Sequence, residues 1–457
     1  MNPLNMCRSV EAAIATASRE PACRWRVVAR TLALYLGLIG GAAIWVPTAQ
    51  AASDDVATLR ALVLAQAEEM KALRTRLEAV EGGIVRAQAR VQITEEQLDA
   101  TAGQVERLAQ TPAGVGGGDT WYSNTSLGGY GELHYNNLAA DASNRDLKEA
   151  DFHRFVLFFG HQFSDRLRLQ AEFELEHALV ADSADGVNPG EVELEQAFIE
   201  YQLDDTHVLR VGQFLLPLGI LNETHEPPTF YGVERNDVEN VILPATWWEG
   251  GMAMSGTYEN GLGWDLAVHS GLEIPVLGGN AFRVRSGRQK VSEASARELA
   301  YTGRLRLHPL DGLDLAATVQ YQSDASQVQH DGLDDALLMV LSGSWQAGPF
   351  GLRALWSRWK FAGDAVETAR VDEQKGWYVE PSWRFPTRLG DAGVYARYSD
   401  VEGARTRDRF DQWEFGVNYW PHEDVVLKAD VRRRQHDLTA EQGRDFDGFD
   451  LSVGYQF

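Results

Sequence analysis

The chain has 457 residues, a formal net charge of −24 and a hydrophobic content of 44%. This acidity argues against a simple nucleic-acid-binding protein, which needs a basic surface to neutralise phosphate groups. The mean hydropathy of −0.29 fits a soluble protein. It fits a membrane β-barrel equally well, because only alternate strand residues of a barrel contact lipid.

Residues 1–51 have the pattern of a secretory signal peptide. An apolar run at 31–46 follows a group of arginines and precedes small residues that end at Ala51. We expect cleavage after Ala51, because the short apolar run and the small residues argue against the alternative, a signal anchor that stays attached. Both cysteines of the chain, Cys7 and Cys23, lie in this segment. We therefore expect no disulfide and no cysteine-based metal site in the mature protein.

Residues 52–110 are predicted to form a coiled coil. Apolar residues recur every seven positions, a second series follows three residues behind them, and charged residues fill the positions between. The first series is Val56, Val63, Met70, Leu77, Ile84, Val91, Leu98 and Val105. This pattern predicts a helical oligomer, and a single amphipathic helix lying on the domain is the alternative. The Gly-rich residues 111–119 predict a flexible linker and a domain boundary.

Residues 120–457 change to a period of two, which predicts strands. Sixteen candidate strands lie at 126–138, 151–163, 166–177, 192–203, 207–216, 251–259, 263–274, 299–308, 313–322, 336–346, 350–361, 376–385, 392–401, 411–420, 425–435 and 448–457. The connections alternate between short and long, as in an up-and-down antiparallel barrel. A Greek-key sandwich would not alternate so regularly. With an even strand number, both barrel ends lie on the short-turn, periplasmic side, so the coiled coil is expected in the periplasm.

The alternation along the strands predicts one lipid-facing side and one polar side. The last strand places on one face Phe449, Leu451, Val453, Tyr455 and Phe457. A soluble β-protein could produce this alternation in one strand, but too many strands here carry a charged face for the loops to cover. We therefore predict an all-β transmembrane barrel that contacts lipid in the outer membrane of a Gram-negative cell.

The basic residues of the strands are candidates for a site inside the barrel, because sixteen strands leave room for an aqueous channel. By strand parity, the inward-facing bases are Arg166, Arg168, Arg210, Arg304, Arg306, Arg353, Arg384, Arg397, Lys428, Arg432 and Arg434. Arginine suits oxyanions because its guanidinium offers paired donors and a permanent charge. Acidic residues share this face, so an anion site and a girdle of ion pairs in a general pore both fit. Arg432 and Arg434 are expected near the constriction, where they would favour anions.

The connection at 217–250 is the longest and is rich in proline, glycine and aromatic residues. A loop of this length inside a compact domain usually has a function. We predict that it folds into the barrel and constricts the pore. A cap over the outer rim or a contact between subunits is the alternative.

Three features together point to a known family. They are the sixteen-strand rhythm, the stretch VGQFLLPLG at 211–219 before the long loop, and the terminal YQF. In these features the region 120–457 resembles the phosphate-selective porin family, porins O and P. The resemblance implies a homotrimeric outer-membrane channel for the passive diffusion of small hydrophilic solutes, with arginines and lysines along the pore and inorganic anions such as phosphate among the solutes. Some members also carry an N-terminal periplasmic coiled-coil segment.

Two other functions remain as alternatives. An outer-membrane hydrolase would need a Ser/His or Asp/His set at one height of the barrel. The histidines are scattered over strands, turns and loops without a nucleophile motif, so we expect no enzyme. A low-specificity envelope pore would use the coiled coil as a structural tether to a periplasmic partner. No residue set has the spacing of metal ligands, and we expect no metal and no cofactor.

Overall fold

Alternating apolar and polar residues build strands with two different faces, and sixteen such strands close into an antiparallel barrel in the described part of the chain. The computed structural model describes residues 122–140, 146–180, 190–328, 332–436 and 445–457. The predicted signal peptide (1–51), coiled coil (52–110) and linker (111–119) lie outside the described residues.

The strands follow one another around the wall in chain order. They are β1 (Thr125–Ala140), β2 (Leu147–Ser164), β3 (Leu167–Glu176), β4 (Val192–Gln202), β5 (His207–Leu215), β6 (Trp248–Thr257), β7 (Leu262–His269), β8 (Ala300–Leu310), β9 (Leu313–Gln322), β10 (Ala336–Ala347), β11 (Phe350–Phe361), β12 (Glu373–Thr387), β13 (Gly390–Glu402), β14 (Arg409–His422), β15 (Val425–His436) and β16 (Phe446–Gln456). The described loops also contain the helix α1 (Asp364–Ala369) and the single-turn helices Pro227–Thr229, Val238–Ile242, Val284–Gly287 and Thr406–Asp408. None of these helices is long and apolar enough to cross a membrane.

Each strand pairs with its two neighbours in the sequence. β1 pairs with β16 and closes the barrel, with Tyr130 opposite Gln456. The connections alternate between short turns, such as 165–166 and 311–312, and long loops, such as 216–247. The predicted sixteen-stranded up-and-down barrel is confirmed.

The two faces of each strand meet different surroundings. On β3, Glu172 and Glu174 are each 1% exposed and point inward, whereas Phe173 between them is 45% exposed on the outer face. On β16, Asp450 is buried inside and Leu451 is exposed outside. Large apolar side chains cover the outer face in this way, as lipid contact requires.

The strand register shifts at five places among the described strands, three of them beside short turns and two within the wall. The pairing of β1 with β2 shifts between Glu132 and Leu133, and the pairing of β3 with β4 shifts between Glu172 and Phe173. A bulge adds one residue to a strand and changes the direction of the side chains beside it. One result is that Glu195 on β4 points into the interior.

An apolar cluster fills the interior next to β10, β11 and β12. It contains Leu216 and Trp247 from the loop between β5 and β6, and Phe282 from the loop between β7 and β8. They pack with wall residues such as Trp359, whose ring centroid lies 6.2 Å from that of Trp247. Each fully buried apolar side chain of this size contributes about 1.5–3 kcal/mol. This packing holds both loops inside the wall.

Candidate functional site in the barrel interior

The third long loop, residues 216–247, lies inside the barrel. Trp420 and Asn418 of β14 donate side-chain hydrogen bonds to its carbonyl oxygens at 3.2 and 3.1 Å. Trp359 of β11 donates to another of its carbonyls at 2.9 Å, and Asp430 of β15 accepts from one of its backbone amides at 2.7 Å. A cap over the outer rim would not reach these inward side chains, so the loop crosses the interior.

Glu239 organises the fold of this loop from its centre. Its carboxylate accepts hydrogen bonds from the backbone amides of Ile220 and Leu221, both at 2.7 Å, and from the hydroxyl of Tyr378 on β12 at 2.9 Å. Gly219 has a φ of 68° beside it, and a Cβ there would come within 2.5 Å of the carboxylate. The tight turn at the start of the loop therefore depends on a glycine and an acidic residue together.

A cavity of 580 Å³ separates the third long loop from the wall formed by β15, β16 and β1–β4. The fourth long loop, residues 270–299, covers part of it. Its lining includes the ends of β2 and β15 that lead into long loops, so the cavity lies toward the long-loop side. Acidic and basic side chains line it in similar numbers. A charged solute that enters this cavity would therefore meet charged groups of both signs.

The basic residues predicted to face the interior are spread over the wall. Arg166 differs from the prediction, because it lies in the exposed turn 165–166, where strand parity no longer holds. The other ten lie on strands and point inward. Near the short-turn side, Arg168 of β3 and Arg210 of β5 both pair with Glu200, at 2.5 and 2.8 Å.

Further along the wall, the predicted bases are also paired with carboxylates. Arg304 and Arg306 on β8 share Asp265, at 2.7 and 3.0 Å. Arg304 also pairs with Glu223 of the third long loop. These carboxylates neutralise the two guanidinium groups, so neither offers an unmatched charge to an anion.

Arg397 is the most deeply buried of the predicted bases, at 1% exposed. Its guanidinium pairs with Glu380 on β12 and with Glu414 on β14, both at 2.6 Å. It also donates to the carbonyl of Tyr231 in the third long loop at 2.7 Å. One cation therefore connects two strands and the loop.

Arg384 also pairs with a carboxylate, whereas Arg353 and Lys428 make contacts of other kinds. Arg353 donates to a backbone carbonyl of the third long loop at 2.8 Å. Arg384 pairs with Asp391 at 3.0 Å. The Lys428 ammonium lies 3.5 Å from the centroid of the Phe230 ring, a cation–π contact that fastens the loop to β15.

Arg432 and Arg434 of β15 line the cavity beside the third long loop. Arg432 pairs with Asp450, and Arg434 donates to Asp237 of the loop at 2.7 Å. Both residues thus lie where the narrowing of the interior was expected, but each positive charge is matched by a carboxylate.

Three arginines that strand parity did not identify, Arg235, Arg285 and Arg288, line the cavity from the third and fourth long loops. None of them has a carboxylate within 4.0 Å among the described residues. Arg285 and Arg288 donate to backbone carbonyls of the third long loop at 2.9 and 3.1 Å. Desolvation of Arg285, together with the charges of Arg288 and Arg283, lowers the pKa of its guanidinium to about 9. These three arginines, the loop arginine cluster, are like charges that form no close ion pair, although carboxylates such as Glu193 act on Arg288 from a longer range.

Three histidines meet beside the same cavity. His134 of β1 stacks on His153 of β2 with ring centroids 4.6 Å apart, and His153 and His177 lie 2.9 and 2.8 Å from Oδ2 of Asp151. The expectation that the histidines are scattered is wrong for these three. The bulge in β2 turns His153 inward, and His177 follows the last residue of β3, so neither position obeys simple strand parity.

A closed barrel of this size, with an apolar outer face and a charged interior, is characteristic of channel-forming proteins of the outer membrane. The chain belongs to the phosphate-selective porin O and P family, whose model matches residues 127–457. It is an outer-membrane porin, and both family and fold point to a channel rather than an enzyme.

The individual proteins that are similar to this chain have low sequence identity to it. A relative from Aquifex aeolicus (strain VF5), described as an uncharacterized protein, is 28% identical over 360 residues, which cover 73% of this chain and 80% of the relative. The anion-selective porin from Comamonas acidovorans is 12% identical, with 73% of this chain and 99% of that chain covered and a TM-score of 0.48. The outer membrane channel DcaP of Acinetobacter baumannii is 12% identical, with coverages of 73% and 97% and a TM-score of 0.48.

Proposed function

We propose that this porin is a passive diffusion channel for small hydrophilic solutes, that the third long loop narrows it, and that it prefers anions. The observation that carries the proposal is the loop arginine cluster of Arg235, Arg285 and Arg288, which lines the cavity without carboxylate partners among the described residues. The preference then originates in the loops, because most of the strand bases are neutralised by neighbouring carboxylates.

An oxyanion in the cavity would reduce the repulsion among these arginines. Two unit charges about 4 Å apart interact by about 4 kcal/mol at the effective dielectric constant of a protein surface. The pKa of Arg285 is lowered mainly by desolvation, and the charges of Arg288 and Arg283 lower it further. A guanidinium presents a fork of N–H donors that matches two oxygens of a phosphate group. Phosphate is therefore the solute we propose first, in agreement with the description of the family.

A low-specificity pore is the second candidate. It is favoured by the ion pairs along the wall, such as Arg168 and Arg210 with Glu200, which leave little net charge on that face. In this case the predicted coiled coil (52–110) would serve as a structural tether to a periplasmic partner, and the barrel would admit small solutes of either sign.

Neutralising the loop arginine cluster should reduce anion selectivity. The test is the reversal potential in a KCl gradient across a planar bilayer for the Arg285→Gln/Arg288→Gln variant. We expect its chloride-to-potassium permeability ratio to fall several-fold below that of the wild type. Arg297→Gln is the matched control, because Arg297 lies in the same loop but bonds the carbonyl of Gln327 away from the cavity.

The Arg432→Ala/Arg434→Ala variant separates the two locations of positive charge. The carboxylate partners of both residues, Asp450 and Asp237, would remain, so anion selectivity should fall in this variant too. Loss of selectivity here and not in the Arg285/Arg288 variant would assign the preference to the strands. Equal permeabilities in the wild type and in both variants would favour the low-specificity pore.

We propose a homotrimer, with the wall at β5–β7 as the subunit contact. These strands have 9, 10 and 8 residues. At about 3.3 Å per residue and a tilt of about 40°, eight residues rise only about 20 Å, less than the apolar band of about 25 Å in a membrane barrel. An apolar groove of 820 Å³ on the outer face there is lined by residues such as Met252 and Leu266. A neighbouring subunit would cover both features.

The oligomeric state can be read on gels. Protein extracted from outer membranes in mild detergent should migrate without heating as a trimer and after heating as a monomer. A Met252→Arg/Leu266→Arg variant should lose the trimer band while still showing a folded monomer. A wild-type protein that migrates as a monomer in the unheated sample would contradict the trimer.

A further inference from the structure

Three buried side chains from three different elements converge on one point behind the cavity wall. They are Glu172 of β3, Glu195 of β4 and His225 of the third long loop, and each is at most 2% exposed. His225 Nε2 lies 3.4 Å from Glu172 Oε1 and 3.8 Å from Glu195 Oε2. These three atoms have no hydrogen-bond partner among the described residues.

The other polar atom of each side chain is already bonded. His225 Nδ1 lies 3.2 Å from the carbonyl oxygen of Asn222. A carbonyl oxygen only accepts hydrogen bonds, so Nδ1 carries a proton and Nε2 is the ring atom that faces the two carboxylates. Glu172 Oε2 accepts from Gln196, and Glu195 Oε1 accepts from Thr246, both at 2.6 Å. A hydrogen bond to one polar atom thus orients each of the three side chains, while the polar atom that faces the other two side chains has no hydrogen-bond partner among the described residues.

The convergence is electrostatically unfavourable without a cation. Glu174, which is 1% exposed, adds a third carboxylate beside Glu195. Arg154 lies 3.5 Å from Glu174 and also pairs with Glu132, so it is shared. Arg235 and Arg288 act on Glu174 and Glu195 only from a longer range and form no ion pair with them. Burial of carboxylates without sufficient positive charge costs several kcal/mol for each ion.

We propose that Glu172, Glu195 and His225 bind a divalent first-row transition metal ion. Metal–nitrogen and metal–oxygen bonds of about 2.0–2.2 Å at roughly tetrahedral angles place two ligand atoms about 3.3–3.6 Å apart. His225 Nε2 lies at such a distance from Glu172 Oε1, 3.4 Å, and slightly farther, 3.8 Å, from Glu195 Oε2. One imidazole and two carboxylates suit Zn²⁺ or Mn²⁺, whereas Ca²⁺ requires six to eight oxygen ligands. Hydrogen bonds to the outer atoms of the ligands are the arrangement that orients a metal site.

The metal would fasten the third long loop to the wall. Two ligands belong to adjacent strands and the third to the loop, so the ion is a cross-link that holds the loop on the β3–β4 side. Thr246, which orients Glu195, itself lines the cavity. Metal binding would therefore stabilise the loop conformation on which the cavity depends.

The first test measures metal content in full-length protein. Protein stripped with a chelator in denaturant and refolded with Zn²⁺ should retain, after dialysis against a weak chelator, about one more equivalent of zinc per chain than His225→Gln. His308→Gln is the matched control, because His308 pairs with the single carboxylate of Asp314. His177→Gln measures any zinc held by the histidines of the cavity.

A second measurement uses the wild type alone and therefore does not depend on whether the His225→Gln variant folds. Wild-type protein refolded with Zn²⁺ should lose its folded gel band at a higher temperature than the same protein refolded with the chelator, because a ligand that binds only the folded state stabilises it. A wild type that retains no zinc, or that retains as much as a folded His225→Gln variant, would overturn the proposal. The carboxylates would then be neutralised by a shared proton.

Discussion

Replacing Arg397 by methionine is expected to lower the free energy of unfolding by about 3–5 kcal/mol. The substitution removes the cation that pairs with Glu380 and Glu414, and both carboxylates are almost fully buried. It also removes the donor to the Tyr231 carbonyl of the third long loop. Methionine keeps the volume of the side chain, so the loss measures charge and hydrogen bonding rather than an empty space.

The measurement is urea unfolding in lipid vesicles, followed by tryptophan fluorescence. Arg384→Met is the matched control, because Arg384 and its partner Asp391 are each 41% exposed. Exposed pairs contribute at most about 1 kcal/mol. Adding Glu380→Gln and Glu414→Gln to Arg397→Met should recover much of the loss, since the buried charges are then removed together. Equal small effects of Arg397→Met and Arg384→Met would contradict this account of the buried pair.

Replacing Glu239 by alanine is expected to release the third long loop and raise the single-channel conductance. The substitution leaves the amides of Ile220 and Leu221 and the hydroxyl of Tyr378 without their acceptor. Each buried donor left unpaired costs about 1–3 kcal/mol. The total is large for one loop, and we expect a mean conductance about twofold higher, with noisier open states, because local opening becomes populated.

Two further variants define this effect. Glu239→Gln keeps an acceptor oxygen and should fall between alanine and the wild type. Glu226→Ala in the same loop is the control, because Thr229 bonds the backbone carbonyl of Glu226, which the substitution retains. If the conductance of Glu239→Ala equals that of the wild type, the loop does not set the width of the channel.

The wall of the barrel could be predicted from the sequence because lipid and interior impose the same period of two on every strand. Asp450 inside and Leu451 outside are neighbours in the chain, and their opposite environments are already present in their alternation. The rhythm of short and long connections then determined the topology. Arg397 could be assigned to the interior in this way, although its two carboxylate partners depend on the register of both neighbouring strands.

The loops and the bulges could not be predicted in the same way. A loop has no parity, so nothing in the sequence near Arg285 and Arg288 indicates that they line a cavity; their positions follow from the packing of Trp247 and Phe282 in the interior. His153 was missed because a bulge moves it out of phase. The convergence of residues 172, 195 and 225 has no signature in sequence spacing, because three separate elements contribute one residue each.

The basic residues of the strands and those of the loops have different partners. Basic residues on the strands form ion pairs with acidic residues on neighbouring strands, as Arg304 does with Asp265. The loop arginines meet backbone carbonyls instead of carboxylates. Their charge therefore stays available to a solute in the cavity.

The measurement that tests the central claim most directly is the reversal potential of the purified wild-type protein in a planar bilayer under a KCl gradient. We expect discrete conductance steps and a reversal potential whose sign shows that chloride is more permeant than potassium. Phosphate added to the bath should shift this potential or block the current. A reversal potential whose sign shows that potassium is more permeant than chloride would contradict an anion-preferring channel. A folded protein that gives no conductance steps would contradict it too.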